Sequence, residues 1–206
     1  MSMSKLYLAS QSYSRHMLLR NANIPFTTVG HNADEMKYDA DASLHDIVRQ
    51  IAYHKIEHAN IPAPHQVDED IVYVLSADTL STDRSGVLRG KPTDYQDAVN
   101  KIKAVRDGST VSTGFCLRAL RRYGNEWQHI DEHVGVVAAD IVVDIPDDWI
   151  DAYLFHQPYA LSANGAIAIE GYGLQFLKQI SGSYTAVLGL PLYEVRLALQ
   201  DLGFYA

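Results

Sequence analysis

Two five-residue stretches carry the spacing of a metal centre. His54-Lys55-Ile56-Glu57-His58 and His129-Ile130-Asp131-Glu132-His133 both read H-x-x-E-H, an inverted zinc-hydrolase signature. On a helix, histidines at i and i+4 share one face, and a Glu beside them can act as general base on metal-bound water. His54 and His58 fall in a segment of helical periodicity and meet that geometry. His129 and His133 fall in a segment that reads as a strand, where i and i+4 stand more than about 10 Å apart at roughly 3.3 Å per residue. One copy is therefore a chance match, and nine histidines in 206 residues make such matches easy. No third-ligand motif follows either copy. Solvated or capping histidines are the preferred reading, with a zinc hydrolase through His54 and His58 as the remote alternative.

A second set of residues suits phosphate chemistry. In "LASQSYSR" an apolar strand feeds a Ser-rich turn and then a helix. The hydroxyls of Ser10 and Ser12, with the free N–H groups of the helix start, make an anion site. Arg15 adds a planar fork for phosphate oxygens. Lys55 sits in the apolar-faced helix and by itself reads as a surface lysine lying along that face. Asp78 ends the apolar run "IVYVLSA", where α/β proteins commonly present catalytic groups. Lys91 lies in the turn Gly90-Lys91-Pro92. Gathered together, Arg15, Lys55 and Lys91 around Asp78 would suit phosphoanhydride hydrolysis. The cations hold a triphosphate, a divalent metal neutralises developing charge, and the carboxylate orients or deprotonates a water. Spacing alone does not bring the four into contact.

The elements that must position these groups are legible in outline. Lys5–Ala9 reads as a strand, Ser14–Asn23 as a helix and Pro25–Gly30 as a strand. Ser43 caps a helix to Asn60 whose apolar face is Leu44, Ile47, Val48, Ile51, Ala52, Ile56 and Ala59. Ile71–Ala77 is a buried strand, followed by a turn-rich stretch. Asp94 caps a helix ending at Arg106. Two long strands flank a turn at Gly124-Asn125. Pro146 opens the helix of "PDDWIDAYLFH", and "PLYEVRLALQDLG" closes the chain as a helix with Gly203 just past its end. Mixed strands and helices around an antiparallel hairpin argue for a mixed α/β fold.

Composition bounds the function. A net charge of −8 disfavours nucleic acid and anionic membranes as partners. Cys116 is the one cysteine, so no internal disulfide forms. No apolar run reaches the length of a membrane span, and "MSMSKLYLAS" lacks the apolar core of a secretory signal. A cytoplasmic protein is the expectation.

The order of these motifs resembles the Maf family of nucleoside triphosphate pyrophosphatases, from Leu6 to Gly203. Members open L-A-S-x-S-P-R-R-x-E-L-L, against "LASQSYSRHMLL" here. A D-E pair matches Asp34-Glu35, L-A-x-x-K-A matches "IAYHKI", A-D-T matches "SADT", and G-K-P matches "RGKP". A V-x-T-G strand matches "VSTGFCL", and G-D-Y-x-x-V-x-G-L-P-L matches "GSYTAVLGLPL". The resemblance implies an α/β fold over a single domain, residues 1–206: a mixed, twisted sheet with two lobes around a central cleft, Maf/ITPase-like. It implies cleavage of a nucleoside triphosphate between its α- and β-phosphates, with a divalent metal, Mg²⁺ or Mn²⁺, as cofactor. Asp78 then matches the general base, and Ser10, Ser12, Arg15, Lys55 and Lys91 match the phosphate-binding positions. Asp34 and Glu35 become metal neighbours, and a homodimer is a family expectation.

The chain departs from the pattern in ways that bear on substrate. Tyr13-Ser14 replaces Pro-Arg, Met17 replaces Glu, Glu170 replaces Gln, and Ser183 replaces Asp. Ser14, Thr79 and Glu170 match the family's base-discriminating positions. Members acting on dTTP and UTP usually carry Arg, Thr and Gln there; members acting on 7-methyl-GTP usually carry Trp, Gln and Glu. Thr79 follows the first group, Glu170 the second, and Ser14 neither. A carboxylate accepts from the N1–H and amine edge of guanine, so Glu170 leans the reading toward 7-methyl-GTP-like purines and a house-cleaning role on modified nucleotides. The alternative is a catalytically weak nucleotide-binding regulator, to which Ser14 and Met17 point.

Overall fold

The computed structural model describes residues 4–34 and 42–206. Six strands form one mixed sheet in the order β2-β1-β3-β4-β5-β6. They are β1 (Lys5–Ala9), β2 (Thr27–Val29), β3 (Ile71–Asp83), β4 (Ser109–Tyr123), β5 (Glu126–Val143) and β6 (Leu177–Gly182). The helices are α1 (Tyr13–Asn21), α2 (Leu44–Glu57), α3 (Tyr95–Val105), α4 (Ile150–His156), α5 (Tyr184–Val187) and α6 (Leu192–Asp201). β1 runs parallel to both β2 and β3, whereas β6 runs antiparallel to β5. β4 and β5 are neighbours joined by the turn at Gly124-Asn125, with Gly124 at φ 59°, the hairpin expected from sequence.

The chain divides into two compact units. The first comprises Met1–Asp78, Thr113–Val136 and Gly189–Ala206; the second comprises Thr79–Ser112 and Val137–Leu188. In the first, one core cluster joins Tyr7 and Ala9 of β1, Val29 of β2, Ile56 of α2, Val72 and Val74 of β3, and Cys116 and Leu120 of β4. α2 lies hard against β4. A Cβ on Gly114 would stand 2.5 Å from the Val48 carbonyl oxygen, so only glycine lets the helix approach this closely. Ser43 caps α2 by accepting from the Asp46 N–H at 3.2 Å, as expected for a helix start. In the second unit Asp94 does the same for α3, accepting from the Asp97 N–H at 2.8 Å.

Two expectations need correction, and one strand was missed. β3 does not stop at Ala77: it continues through Asp78 to Asp83, so Asp78 stands within the strand. Pro146 precedes a 3₁₀ turn, Asp147–Trp149, before α4 begins at Ile150. β6 was not foreseen, because "LKQISG" is mostly exposed at the sheet margin and lacks the apolar alternation of a half-buried strand.

Candidate active site

The order β2-β1-β3 places a topological switch point between β1 and β3. From β1 the chain passes through α1 to β2 on one side, then through α2 to β3 on the other. In parallel α/β sheets, ligands bind outside the carboxyl ends of the strands at such a point. Leu8 lies opposite Leu75, so Ser10 leaves the sheet two residues past that rung and Asp78 stands three past it on the neighbouring strand.

Ser10 is the hub of the first cluster and is 5% exposed. Its hydroxyl oxygen accepts from the Ser12 N–H at 3.2 Å and from Arg15 Nη1 at 3.0 Å. Its carbonyl accepts from His16 Nε2 at 2.8 Å; a carbonyl can only accept, so that ring nitrogen carries the proton. Ser12 is the N-cap of α1, but its side chain makes no capping bond, and no acidic residue occupies the helix's first turn. The peptide dipoles of the first turn place positive potential at this helix start. Arg15 is 8% exposed and donates Nε to the Gly189 carbonyl at 2.8 Å. The G-L-P-L motif before α6 thus holds the guanidinium by its backbone, with Gly189 at φ 106°.

The second cluster is an ion pair on two rungs. Ser76 donates its hydroxyl to the Ala52 carbonyl at 2.6 Å, and Lys55 Nζ donates to Asp78 Oδ1 at 2.6 Å. Ser76 and Asp78 are two apart on a strand and share a face; Ala52 and Lys55 are three apart on a helix and do likewise. The lower rung fixes the height of α2 on β3, and the upper rung is then in register. Lys55 is 4% exposed and Asp78 7%. The expectation of a surface lysine is corrected: Lys55 belongs to the buried face with Val48, Ile51, Ala52 and Ile56. A buried charge of this kind persists when it is paired.

The remaining predicted residues fall as follows. Ser14 is half-buried in the first turn of α1, and Asp34 is exposed; Glu35 lies outside the described residues. Thr79, Lys91 and Glu170 belong to the second unit. Lys91 is exposed, and its carbonyl accepts from Lys101 Nζ at 2.8 Å. The turn leading to it is closed by Asp83, which accepts from Arg89 at 2.6 Å and from the N–H groups of Ser85 and Val87. The Arg89 hydrogen bond, with those two backbone bonds, holds the Asp83 carboxyl below its usual range. Glu170 is half-buried and precedes a 3₁₀ turn, Gly171–Phe176; its charge, after burial itself, helps raise the phenols of Tyr153 and Tyr184.

Neither H-x-x-E-H copy is arranged for metal. His58 Nδ1 donates to the His54 carbonyl at 2.9 Å within the helix. Glu57, the would-be general base, pairs with Arg118 at 2.6 Å. The second copy lies on β5, and its Glu132 pairs with the same Arg118 at 2.8 Å. Among the described residues no group of three or more His, Cys, Asp or Glu could hold a metal ion.

His16, Ser76 and Gly189 support the site and were not foreseen. His16 adjoins Arg15 in sequence, which is a weak signal. Gly189 acts through its carbonyl, and a backbone acceptor leaves no mark on residue type beyond the motif that contains it.

Fold and site together define a mixed α/β protein with a cationic, hydroxyl-rich cluster and a buried carboxylate at a parallel switch point. The model for Maf-like proteins matches residues 5–202, and the chain belongs to that family. It is 32% identical over 200 residues to a protein of Xanthomonas euvesicatoria pv. vesicatoria named dTTP/UTP pyrophosphatase, covering 96% of this chain and 98% of that one. A Roseobacter denitrificans protein named nucleoside triphosphate pyrophosphatase is 32% identical over 196 residues, covering 92% of each. A dTTP/UTP pyrophosphatase of Clostridium beijerinckii is 31% identical over 199 residues, covering 96% and 99%. Among the described residues no helix is long and apolar enough to cross a membrane.

Proposed function

We propose that this protein hydrolyses nucleoside triphosphates between the α- and β-phosphates, releasing a nucleoside monophosphate and pyrophosphate. The observation that carries the reading is the buried Lys55–Asp78 pair beside the Ser10–Arg15 cluster at the switch point. Ser10, Ser12 and Arg15, with Lys55 and Lys91, supply donors and positive charge for the triphosphate. Asp78 accepts the proton of the attacking water. Lys55 engages Asp78 through Oδ1, and the lone pairs of Oδ2 serve the water. Because the pair is buried, Asp78 keeps a fixed orientation, which general-base catalysis requires.

The donor set fits a divalent cation that arrives with its substrate, since Mg²⁺ sites of this kind use one or two carboxylates plus phosphate oxygens. Asp34 and Glu35 are the carboxylates that would hold it, leaving Asp78 to the water, and the ion would neutralise charge on the phosphates in the transition state.

For the base, the names of the relatives favour dTTP and UTP, and Thr79 agrees with them. Glu170 favours the second reading, a 7-methyl-GTP-like purine, because a carboxylate accepts from the guanine edge and attracts a cationic methylated ring. Either substrate suits house-cleaning of unwanted nucleotides in the cytoplasm. Pyrophosphate release from dTTP, UTP, CTP, GTP and 7-methyl-GTP, with Mg²⁺ or Mn²⁺, decides between them. Release from one base class assigns the substrate. Nucleotide binding without release from any of the five would replace the enzyme with a nucleotide-binding regulator.

A further inference from the structure

We infer that the segment Asn164–Gly171 is a bracket that sets the positions of Thr79, Lys91 and Glu170, and that Asn164 is its positioning residue. This rests on the reading above, in which those three residues face the nucleotide. All of the contacts lie within the second unit.

At one end, two consecutive residues each hold a different strand or turn. Asn164 donates its side-chain amide to the backbone carbonyl of Thr79, the residue that follows Asp78 along β3. The acceptor is a carbonyl, so Nδ2 must be the atom facing it. Gly165 donates its N–H to the carbonyl of Gly90 at 3.2 Å, the residue before Lys91. Gly165 takes φ 66°, which favours glycine, and a Cβ there would stand 3.4 Å from Ser81 Oγ and Val105. Ser81 in turn donates to the Arg89 carbonyl at 3.2 Å. β3 beyond Asp78 and the Gly90–Lys91 turn are thereby tied to the same dipeptide.

At the other end, the segment is pinned from beneath. Tyr153 is 1% exposed, and its hydroxyl accepts from the Ala168 N–H at 2.8 Å while lying 3.4 Å and 3.2 Å from the carbonyls of Ala166 and Ala168. The Gly173 N–H donates to the Glu170 carbonyl at 3.0 Å. A Cβ on Gly173 would lie 1.9 Å from the Ala168 carbonyl oxygen, so the chain doubles back there only with glycine. Glu170 is thus carried on a short segment fixed at both ends. A displacement at Asn164 moves Thr79 directly, and with it the side chain proposed to read the base.

The test is steady-state pyrophosphate release from dTTP, UTP and 7-methyl-GTP by the unaltered protein, Asn164→Asp and Asn164→Ala, each with its melting temperature. Asn164→Asp keeps the shape but turns an acceptor toward the Thr79 carbonyl. It should lower kcat/KM on the preferred substrate about tenfold or more. It should also change the preference between bases by about threefold or more, with the melting temperature little altered. Asn164→Ala should act in the same direction and less strongly, and it carries the test should the Asp variant not fold. Folded variants with unchanged kcat/KM and unchanged base preference would overturn the inference. So would a uniform loss on all substrates that merely follows a lowered melting temperature. An unaltered protein that releases no pyrophosphate from any triphosphate would instead overturn the proposed function, and the bracket's role with it.

Discussion

Two of the ionic contacts of helix α2, at Lys55 and Glu57, stand two residues apart and are opposites. Lys55 points into the fold, where it and Asp78 are almost completely removed from solvent. Glu57 points outward, 42% exposed at its side chain, and meets Arg118, which also holds Glu132. The outward cluster joins the glutamates of both H-x-x-E-H stretches, so the most conspicuous motif in the sequence resolves into a half-exposed ion network. The inward pair is built from a lysine and an aspartate that are unremarkable when read singly. Burial separates them, and residue type does not.

The largest effect expected from perturbing this contrast is at Lys55. Lys55→Met leaves Asp78 buried without its partner, which costs about 3–5 kcal/mol for a pair of this kind. Chemical denaturation should show that loss together with a collapse of turnover. Next is Arg15→Ala, which removes the bonds to Gly189 and Ser10 and one cation of the proposed phosphate site. Its kcat/KM should fall about tenfold to a hundredfold, on the scale of a lost hydrogen bond to a charged group, with KM rising. On the other side of the comparison, Glu57→Gln should change stability by under ~1 kcal/mol and leave pyrophosphate release intact. His54→Gln with His58→Gln should leave activity unchanged, and purified protein should carry no stoichiometric zinc by elemental analysis. Smallest of all, Cys116 should resist alkylation at pH 8. Burial, followed by the charge of Glu132, pushes its thiol up to about 12, so no thiolate is available as nucleophile.

Much of the frame was legible because local chemistry and tertiary structure agree in it. Ser43 and Asp94 cap the helices they were expected to cap, the β4–β5 hairpin turns at Gly124-Asn125, and Gly203 follows the last helix at φ 83°. The failures share a cause. Periodicity treats every lysine as polar, so it could not place Lys55 among Val48, Ile51 and Ala52, whose burial it did foresee. The apolar run ends at Ala77, so β3 looked finished, yet its backbone continues through Asp78, Thr79 and Asp83 regardless of side-chain polarity. At the margin of the sheet β6 needs no apolar face at all. Gly189 and the Thr79 carbonyl act through backbone atoms, which composition cannot report. The resemblance to a family supplied the grouping of Asp78, Lys55 and Arg15 that spacing alone left open.

The central claim is that Asp78, held by Lys55, is the general base. It is tested most directly by Asp78→Asn, comparing pyrophosphate release with nucleotide binding on the best substrate of the panel. Retained binding with turnover reduced about 10²–10⁴-fold, the scale of a lost general base, is the predicted result. Turnover near that of the unaltered protein, with the fold intact, would contradict it.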